Sequence, residues 1–114
     1  MTYIRNFSGQ IMLKFDGEYI RDFGGTIKYK LYDNKVLDFY GRTQYVLERD
    51  RIKDFYGRTL LYVSDDTVRE FSGGIIAKFD HTYIRNFHGT FLYKIDGFLS
   101  RKEILALIAI AFAV

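Results

Sequence analysis

A glycine recurs at every sixteenth position, six times without an insertion, and this regularity limits the 114-residue chain to an architecture built from one short repeated unit. Each glycine follows a phenylalanine by two positions, and each phenylalanine follows an Asn, Asp or Glu. The glycines are Gly9, Gly25, Gly41, Gly57, Gly73 and Gly89. The phenylalanines are Phe7, Phe23, Phe39, Phe55, Phe71 and Phe87. The polar residues before them are Asn6, Asp22, Asp38, Asp54, Glu70 and Asn86.

Each repeat is predicted to form a β-hairpin, because branched and aromatic residues alternate with polar ones between regularly placed turn residues. Residues 22–25 have the composition of a four-residue loop on a type I turn, in which the last glycine takes a positive φ. A two-residue loop is predicted to join each repeat to the next, at Asp16-Gly17 and at its later equivalents Glu48-Arg49 and Asp80-His81.

These loop lengths predict a strand register. The four-residue loop would pair Ile20 with Ile27, and the two-residue loop would pair Ile20 with Leu13. Paired residues share a face of the sheet, so this register separates an apolar face from a basic and aromatic face. The apolar face comprises Ile4, Ile11, Leu13, Phe15, Ile20, Ile27, Tyr29 and Leu31. The opposite face comprises Tyr3, Arg5, Met12, Lys14, Tyr19, Arg21, Lys28 and Lys30.

The end of the chain departs from the repeat and is predicted to be helical. Ser100 and Glu103 have the spacing of a capping box, and Leu99 and Ile104 are placed as a hydrophobic staple. From Ile104 onward the segment is apolar on every side. A helix of that composition has to be surrounded by other groups.

A barrel offers such surroundings. A closed twelve-stranded barrel is too wide for its own side chains to fill, and a helix about 10–12 Å across fits the lumen. We therefore predict a mainly β fold with one α-helix, as a single domain over residues 1–114. Six 16-residue hairpin repeats (residues 1–97) form a closed 12-stranded antiparallel barrel around a hydrophobic C-terminal helix (residues 98–114).

The stretch Tyr19-Ile20-Arg21-Asp22-Phe23-Gly24-Gly25 with its five copies, together with the helix from Arg101, resembles a known architecture. A twelve-stranded barrel threaded by a hydrophobic helix is similar to the tubby-like fold of tubby proteins, phospholipid scramblases and LURP-one relatives. The local unit resembles the hairpin repeats of beta-flower proteins. The resemblance implies the barrel and an association with membrane lipid, although the sequence contains no tubby phosphoinositide signature.

The sequence does not indicate an enzyme, a cofactor or a metal site. It contains no cysteine, and its two histidines, His81 and His88, fall in predicted turns at opposite ends of one hairpin. The ring of Asn, Asp and Glu residues before the phenylalanines is interpreted as loop capping, because six groups around so wide a ring lie too far apart to share one ion. The six phenylalanines are interpreted as anchors tucked over the barrel end, or alternatively as the rim of a ligand mouth.

The predicted outer face provides the candidate binding residues. Basic side chains alternate there with tyrosines, a combination that suits anionic lipid headgroups. The candidates are Arg5, Lys14, Tyr19, Arg21, Lys30, Lys53, Arg69, Lys78, Tyr83, Arg85 and Lys94. We expect a non-enzymatic binding or scaffold module for an anionic lipid surface or a protein partner. The formal net charge of only +3 does not indicate a nucleic-acid partner.

The alternative is a self-assembling structural protein, because several outward positions are apolar. These positions are Leu37, Val46, Leu60 and Tyr62, together with Met12, Ile76 and Leu92. The sequence leaves open whether the chain is a monomer or a homo-oligomer. The absence of cysteine, and a first segment that lacks the apolar region of a signal peptide, lead us to expect a cytoplasmic location.

Overall fold

A computed structural model describes residues 1–113, in which twelve antiparallel strands form a closed barrel and one α-helix follows them. The strands are β1 Thr2–Asn6, β2 Ile11–Phe15, β3 Tyr19–Arg21, β4 Ile27–Tyr32, β5 Lys35–Asp38, β6 Thr43–Leu47, β7 Arg51–Asp54, β8 Thr59–Ser64, β9 Thr67–Glu70, β10 Ile75–Phe79, β11 Tyr83–Asn86 and β12 Phe91–Asp96. The helix is α1, Arg101–Phe112. The predicted mainly β barrel with a C-terminal helix is confirmed, while Val114, which we included in the predicted helical segment, lies outside the described residues.

The two ends of the barrel carry different loops. Successive strands are antiparallel, so the loops that contain the repeated glycines all lie at one end, which we call the crown end. These crown loops are residues 6–10, 22–26, 38–42, 54–58, 70–74 and 86–90. The two-residue loops lie at the opposite end, which we call the base end.

The crown loops contain a β-turn at the predicted place, but each loop is one residue shorter than expected. Gly9 N donates to the Asn6 carbonyl at 3.0 Å, and Asn6 N donates to the Gln10 carbonyl at 2.9 Å, which leaves three residues between the last paired positions. All six repeated glycines have a positive φ, between 85° and 101°, as predicted.

A β-bulge follows each crown loop, and because of it the observed strand register differs from the predicted one. Ile20 pairs with Tyr29 and Arg21 with Ile27, so the predicted pairing of Ile20 with Ile27 is wrong and Lys28 is the extra residue of the bulge. The shortened loop makes the following strand one residue longer than its partner, and the bulge absorbs that residue. Ile11 and Ile27 therefore lie opposite arginines on the outer wall and not on the inner face.

The two-residue loops are also displaced by one position. Phe15 pairs with Ile20, so the predicted pairing of Ile20 with Leu13 is wrong. Asp16 belongs to the last pair, since its N–H donates to the Tyr19 carbonyl at 3.2 Å, and the loop is residues 17–18. The equivalent amide bonds, Glu48 to Arg51 and Asp80 to Tyr83, show the same displacement.

Three positions of each repeat face the lumen, and all of them are apolar or tyrosine. The middle layer is fully buried and consists of Ile4, Ile20, Val36, Ile52, Val68 and Ile84. The layer toward the base end is Phe15, Leu31, Leu47, Val63, Phe79 and Ile95. The layer toward the crown end is Leu13, Tyr29, Tyr45, Leu61, Ala77 and Tyr93. The wall thus presents a continuous apolar lining to whatever occupies the lumen.

α1 occupies the lumen. Six consecutive residues, Ile104 to Ala109, are buried, which requires neighbours on every side of the helix. Ser100 and Glu103 form the predicted capping box at its start. Because β12 runs toward the base end, α1 enters there and ends toward the crown, where the Tyr45 hydroxyl donates to the Ala113 carbonyl at 3.5 Å. Within residues 1–113 no helix has the length and apolar character needed to cross a membrane.

The barrel closes where its first and last strands meet. Ile4 pairs with Ile95 across this seam, in the same register as Ile20 with Phe15 between β3 and β2. The ion pair at the seam, Arg5 to Asp96, is also repeated between those strands. The closing pair is therefore geometrically equivalent to the other contacts between repeats.

Candidate binding surfaces

The six phenylalanines of the crown loops project into solvent. Their side chains are between 61% and 76% exposed, so the interpretation as anchors tucked over the barrel end is wrong. The physical reason is that α1 already fills the lumen and leaves no apolar space for six further rings. Exposed large apolar groups gathered in one region are the surface feature that most often marks a binding site.

Two tyrosines extend this surface. Tyr40 and Tyr56 follow their phenylalanines directly, are 78% and 80% exposed, and pack edge to face against them at centroid distances of 5.3 and 5.1 Å. We call the whole set the aromatic crown: Phe7, Phe23, Phe39, Tyr40, Phe55, Tyr56, Phe71 and Phe87. Packing of each pair ring against ring holds them as rigid apolar projections.

The polar residue that starts each crown loop is engaged within that loop. Asp38 Oδ1 accepts hydrogen bonds from the Tyr40 and Arg42 amides at 2.8 and 2.9 Å. The amide bond from Arg42, with the other donors, holds the pKa of Asp38 below its ordinary value, and the Arg58 amide does the same for the pKa of Asp54. Residues 1–113 contain no group of three or more acidic or histidine side chains placed to hold a metal ion.

The eleven predicted binding residues lie on the outer wall, and most of them have partners within the protein. Five are in ion pairs: Arg5–Asp96 (3.0 Å), Arg21–Asp16 (3.1 Å), Lys30–Glu18 (3.5 Å), Lys53–Glu48 (2.8 Å) and Arg85–Asp80 (3.4 Å). Two backbone amide bonds, from Thr82 and then Tyr83, lower the pKa of Asp80 and keep it ionised. We call the eleven predicted residues the outer belt. The acids at the base end neutralise much of its positive charge.

The six remaining members of that set divide into three groups. Arg69 donates to the Gly73 carbonyl at 3.1 Å, as Arg5 and Arg21 do to Gly9 and Gly25, and so braces its crown loop. Tyr19 lies under Arg21 and Lys30, and Tyr83 lies under Arg85. Within residues 1–113 four basic residues of the set have no acidic partner: Arg69, Lys14, Lys78 and Lys94.

Two exposed arginines at the crown end were not among the predicted site residues. Arg42 and Arg58 lie at the ends of neighbouring crown loops, and each Nε donates to the aspartate of its own loop at 3.0 and 2.9 Å. Both line a cleft of about 620 Å³ with Thr43, Gln44, Asp54, Phe55 and Tyr56. The signal was present in the sequence, because Asp-Phe-Tyr-Gly-Arg-Thr occurs twice, at residues 38–43 and 54–59.

Further cavities and the two histidines lie away from this cleft. A cleft of about 690 Å³ at the base end lies beside the start of α1, and an apolar cavity of about 220 Å³ lies between α1 and β1, β2 and β12. His81 lies in a base-end loop and His88 in a crown loop, both exposed, so the two cannot act on one substrate. Comparison with known protein families, with curated proteins and with solved structures finds no match to this chain.

Proposed function

We propose that this chain is a non-enzymatic binding module that docks on an anionic phospholipid surface through the aromatic crown. The observation that carries the proposal is the exposure of six phenylalanine rings at one end of a rigid barrel. Burying a phenylalanine side chain fully contributes about 1.5–3 kcal/mol. Partial insertion of several rings into the boundary between headgroups and acyl chains supplies enough free energy for reversible membrane attachment.

The charges behind the rings favour a negatively charged surface. Arg5, Arg21 and Arg69 reach the carbonyls of their crown loops, and Arg42 and Arg58 lie in crown loops themselves. Guanidinium groups just behind apolar tips would lie at the level of lipid phosphates when the tips are inserted. The outer belt, including the unpaired Lys14, Lys78 and Lys94, then adds long-range attraction rather than the contact itself.

The rigid support of the crown reduces the cost of binding. Five of the six loops are fixed by two hydrogen bonds from backbone amides to their Asp or Asn, and in loop 70–74 the Ser72 hydroxyl donates to Glu70 instead. Three of the loops are braced by an arginine from the wall. A preorganised set of rings loses little conformational entropy on insertion. This arrangement supports docking without rearrangement of the barrel.

Vesicle binding of matched variants tests the proposal. Phe23 at the crown end and Phe98 outside it are 73% and 74% exposed, so Phe23→Ser and Phe98→Ser remove equally accessible rings from different places. We expect the first to weaken co-sedimentation with phosphatidylglycerol vesicles several-fold and the double variant F23S/F71S to weaken it by about tenfold or more. Phe98→Ser should bind as the wild type does. Equal losses in the two single variants, or none in either, would contradict the proposal.

The alternative is self-assembly, which the same exposed rings favour if two crowns face each other. Of the residues predicted to form an outward apolar patch, Leu60 and Ile76 pack against the core, so that part of the prediction is wrong. Leu37, Val46 and Tyr62 are half-buried in the wall and form a less exposed surface than the crown. Apposed crowns would bring the exposed side chains of Arg42 and Arg58 near those of the second copy, which disfavours this arrangement. Light scattering distinguishes the two functions, since self-assembly predicts a dimer or larger species that F23S/F71S converts to monomer.

A further inference from the structure

Two neighbouring crown loops differ from the other four in a way that barrel formation does not require. Loops 38–42 and 54–58 both have the sequence Asp-Phe-Tyr-Gly-Arg, and none of the other crown loops has Tyr or Arg at these positions. They connect β5 to β6 and β7 to β8, and β6 pairs with β7, so the two loops are adjacent. Arg42 of the first loop and residues 54–56 and 58 of the second line one cleft.

The two arginines of this cleft are fixed and still available. Arg42 and Arg58 bond to aspartates through Nε alone, and their side chains remain 72% and 77% exposed. Within residues 1–113 the terminal Nη groups have no hydrogen-bond acceptor. The guanidinium planes are thus oriented by the protein, while the edges that recognise oxyanions are directed to solvent.

The other groups of the cleft complete a site for an oxyanion. The Thr43 hydroxyl and Gln44, whose Nε2 donates one of its two hydrogens to Asp38 Oδ2 at 3.1 Å, line the cleft together with the rings of Phe55 and Tyr56. Asp54 also lines the cleft, but its oxygens already accept bonds from the Tyr56 amide, the Arg58 amide and Arg58 Nε. The Asp54 carboxylate is therefore engaged within its own loop. The groups that remain accessible in the cleft are the Nη groups of the two arginines.

From this geometry we infer that the cleft between crown loops 38–42 and 54–58 binds a phosphate monoester. A monoester carries up to two negative charges and three terminal oxygens, so two guanidinium groups can bind it at once. A phosphodiester, with one charge and two such oxygens, engages them less well. The ligand group is either a lipid headgroup that ends in phosphate or a soluble phosphate compound. The lipid form of the inference rests on the proposed function.

The first arm of the test uses inorganic phosphate and no membrane. Arginine Nε–H signals are followed by nuclear magnetic resonance during a phosphate titration, with chloride at equal ionic strength as the reference. We expect saturable shifts for Arg42 and Arg58, and none for Arg69, whose guanidinium braces another crown loop. Unmoved signals for Arg42 and Arg58 would overturn the site.

The second arm uses vesicles containing phosphatidic acid or phosphatidylglycerol, matched in zeta potential. We expect the wild type to bind phosphatidic acid about tenfold more tightly. The variant R42Q/R58Q should lose this preference, and K28Q/K35Q, which removes the same two positive charges from exposed positions elsewhere on the wall, should keep it. Melting curves confirm that both variants are folded.

The two arms separate the two claims. Binding to both vesicles without a preference, or a preference that survives in R42Q/R58Q, overturns the lipid form of this inference and leaves the proposed function standing. No binding to either vesicle, with saturable shifts in the first arm, overturns the proposed function and assigns the cleft to a soluble phosphate compound.

Discussion

At the residue scale, five of the six crown loops depend on one side-chain oxygen each, the exception being the loop that begins at Glu70. Asp38 Oδ1 accepts from two loop amides while Oδ2 holds Arg42, and Asn6 Oδ1 accepts from two loop amides with no arginine in its loop. An amide oxygen is therefore sufficient to close the loop. The carboxylate is needed for the guanidinium group beside it.

The lowered pKa values of Asp38 and Asp54 make part of the stability dependent on pH. A carboxyl group whose pKa is lower in the folded chain contributes stability above its unfolded pKa, and loses that contribution as the pH falls through the folded value. Asp38→Asn with Asp54→Asn keeps the loop bonds but cannot ionise. We expect the free energy of unfolding of the wild type to exceed that of this variant at pH 7, and the difference to shrink below about pH 4.

Urea denaturation at pH 7 and at pH 3 measures this difference. Asp38→Ala serves as the control, because it also removes the loop acceptor and should destabilise the protein at both pH values. A difference between the wild type and the Asn variant that is the same at both pH values would show that the carboxylates are not the cause.

Single residues also show where sequence-based prediction ends. The positive φ of Gly9 and its equivalents was predictable, because a type I hairpin loop requires it. The exposure of Phe7 and its equivalents was not, because phenylalanine in a repeat ordinarily indicates burial. The predicted position of α1 excludes these rings from the lumen, but the loop composition does not show whether they fold over the barrel end or project into solvent.

At the scale of elements, α1 is held by enclosure. Its apolar residues have no polar stripe between them, and Ile108 and Ala109 are completely buried in the barrel. The strands that surround it have only three to six residues each. Such short strands leave wide gaps unless something fills the space between opposite walls, so the wall and the helix depend on each other.

A charge placed in the middle of α1 should therefore unfold the protein. Ile108→Asp puts a carboxylate in an apolar lumen without a partner, and we expect a loss of at least about 4 kcal/mol or of the cooperative transition itself. Lys102→Asp is the matched control, since an acid in the exposed first turn is compatible with the helix dipole. Thermal denaturation followed by circular dichroism compares them, and an unchanged transition in Ile108→Asp would mean that α1 is not the core.

The strand registers were predicted less well than the elements themselves. Displacement of the two-residue loop changes the partner of Ile20 from Leu13 to Phe15, but both partners face the lumen, so a hydrophobic pattern cannot distinguish the two registers. In each repeat the bulge moves one residue, such as Ile11 or Ile27, from the predicted inner face to the outer face. The composition of the loop does not indicate that a bulge is present. The eleven residues of the outer belt lie on the outer face, as predicted. Their ion pairs could not be predicted, because these depend on the exact strand register.

At the scale of the whole molecule, the barrel is a ring of equivalent contacts. The seam between β1 and β12 has the register and the ion pair of an ordinary junction between repeats, and Thr2 adds a hydrogen bond of 2.6 Å from its hydroxyl to the Phe98 carbonyl. No strand within residues 1–113 is left with an unpaired edge. Closure of this kind removes the edges through which sheets aggregate.

The seam should consequently be as stable as the rest of the wall. We expect the paired amides of β1 and β12 to exchange with deuterium at rates within about tenfold of those between β6 and β7, because exchange in a closed ring requires cooperative opening. Nuclear magnetic resonance resolves the two sets. Much faster exchange confined to the seam would show that the ring opens there first.

The position of a helix inside a closed ring also determines how such a chain can change in length. Adding or deleting one hairpin alters the circumference by two strand spacings, roughly 10 Å, whereas the girth of α1 stays constant. The lumen of a five-hairpin barrel would be too narrow for the helix, and that of a seven-hairpin barrel would leave an empty space beside it. The width of the helix thus limits the barrel to six hairpins, so this chain should tolerate substitution within a hairpin but not the gain or loss of a whole one.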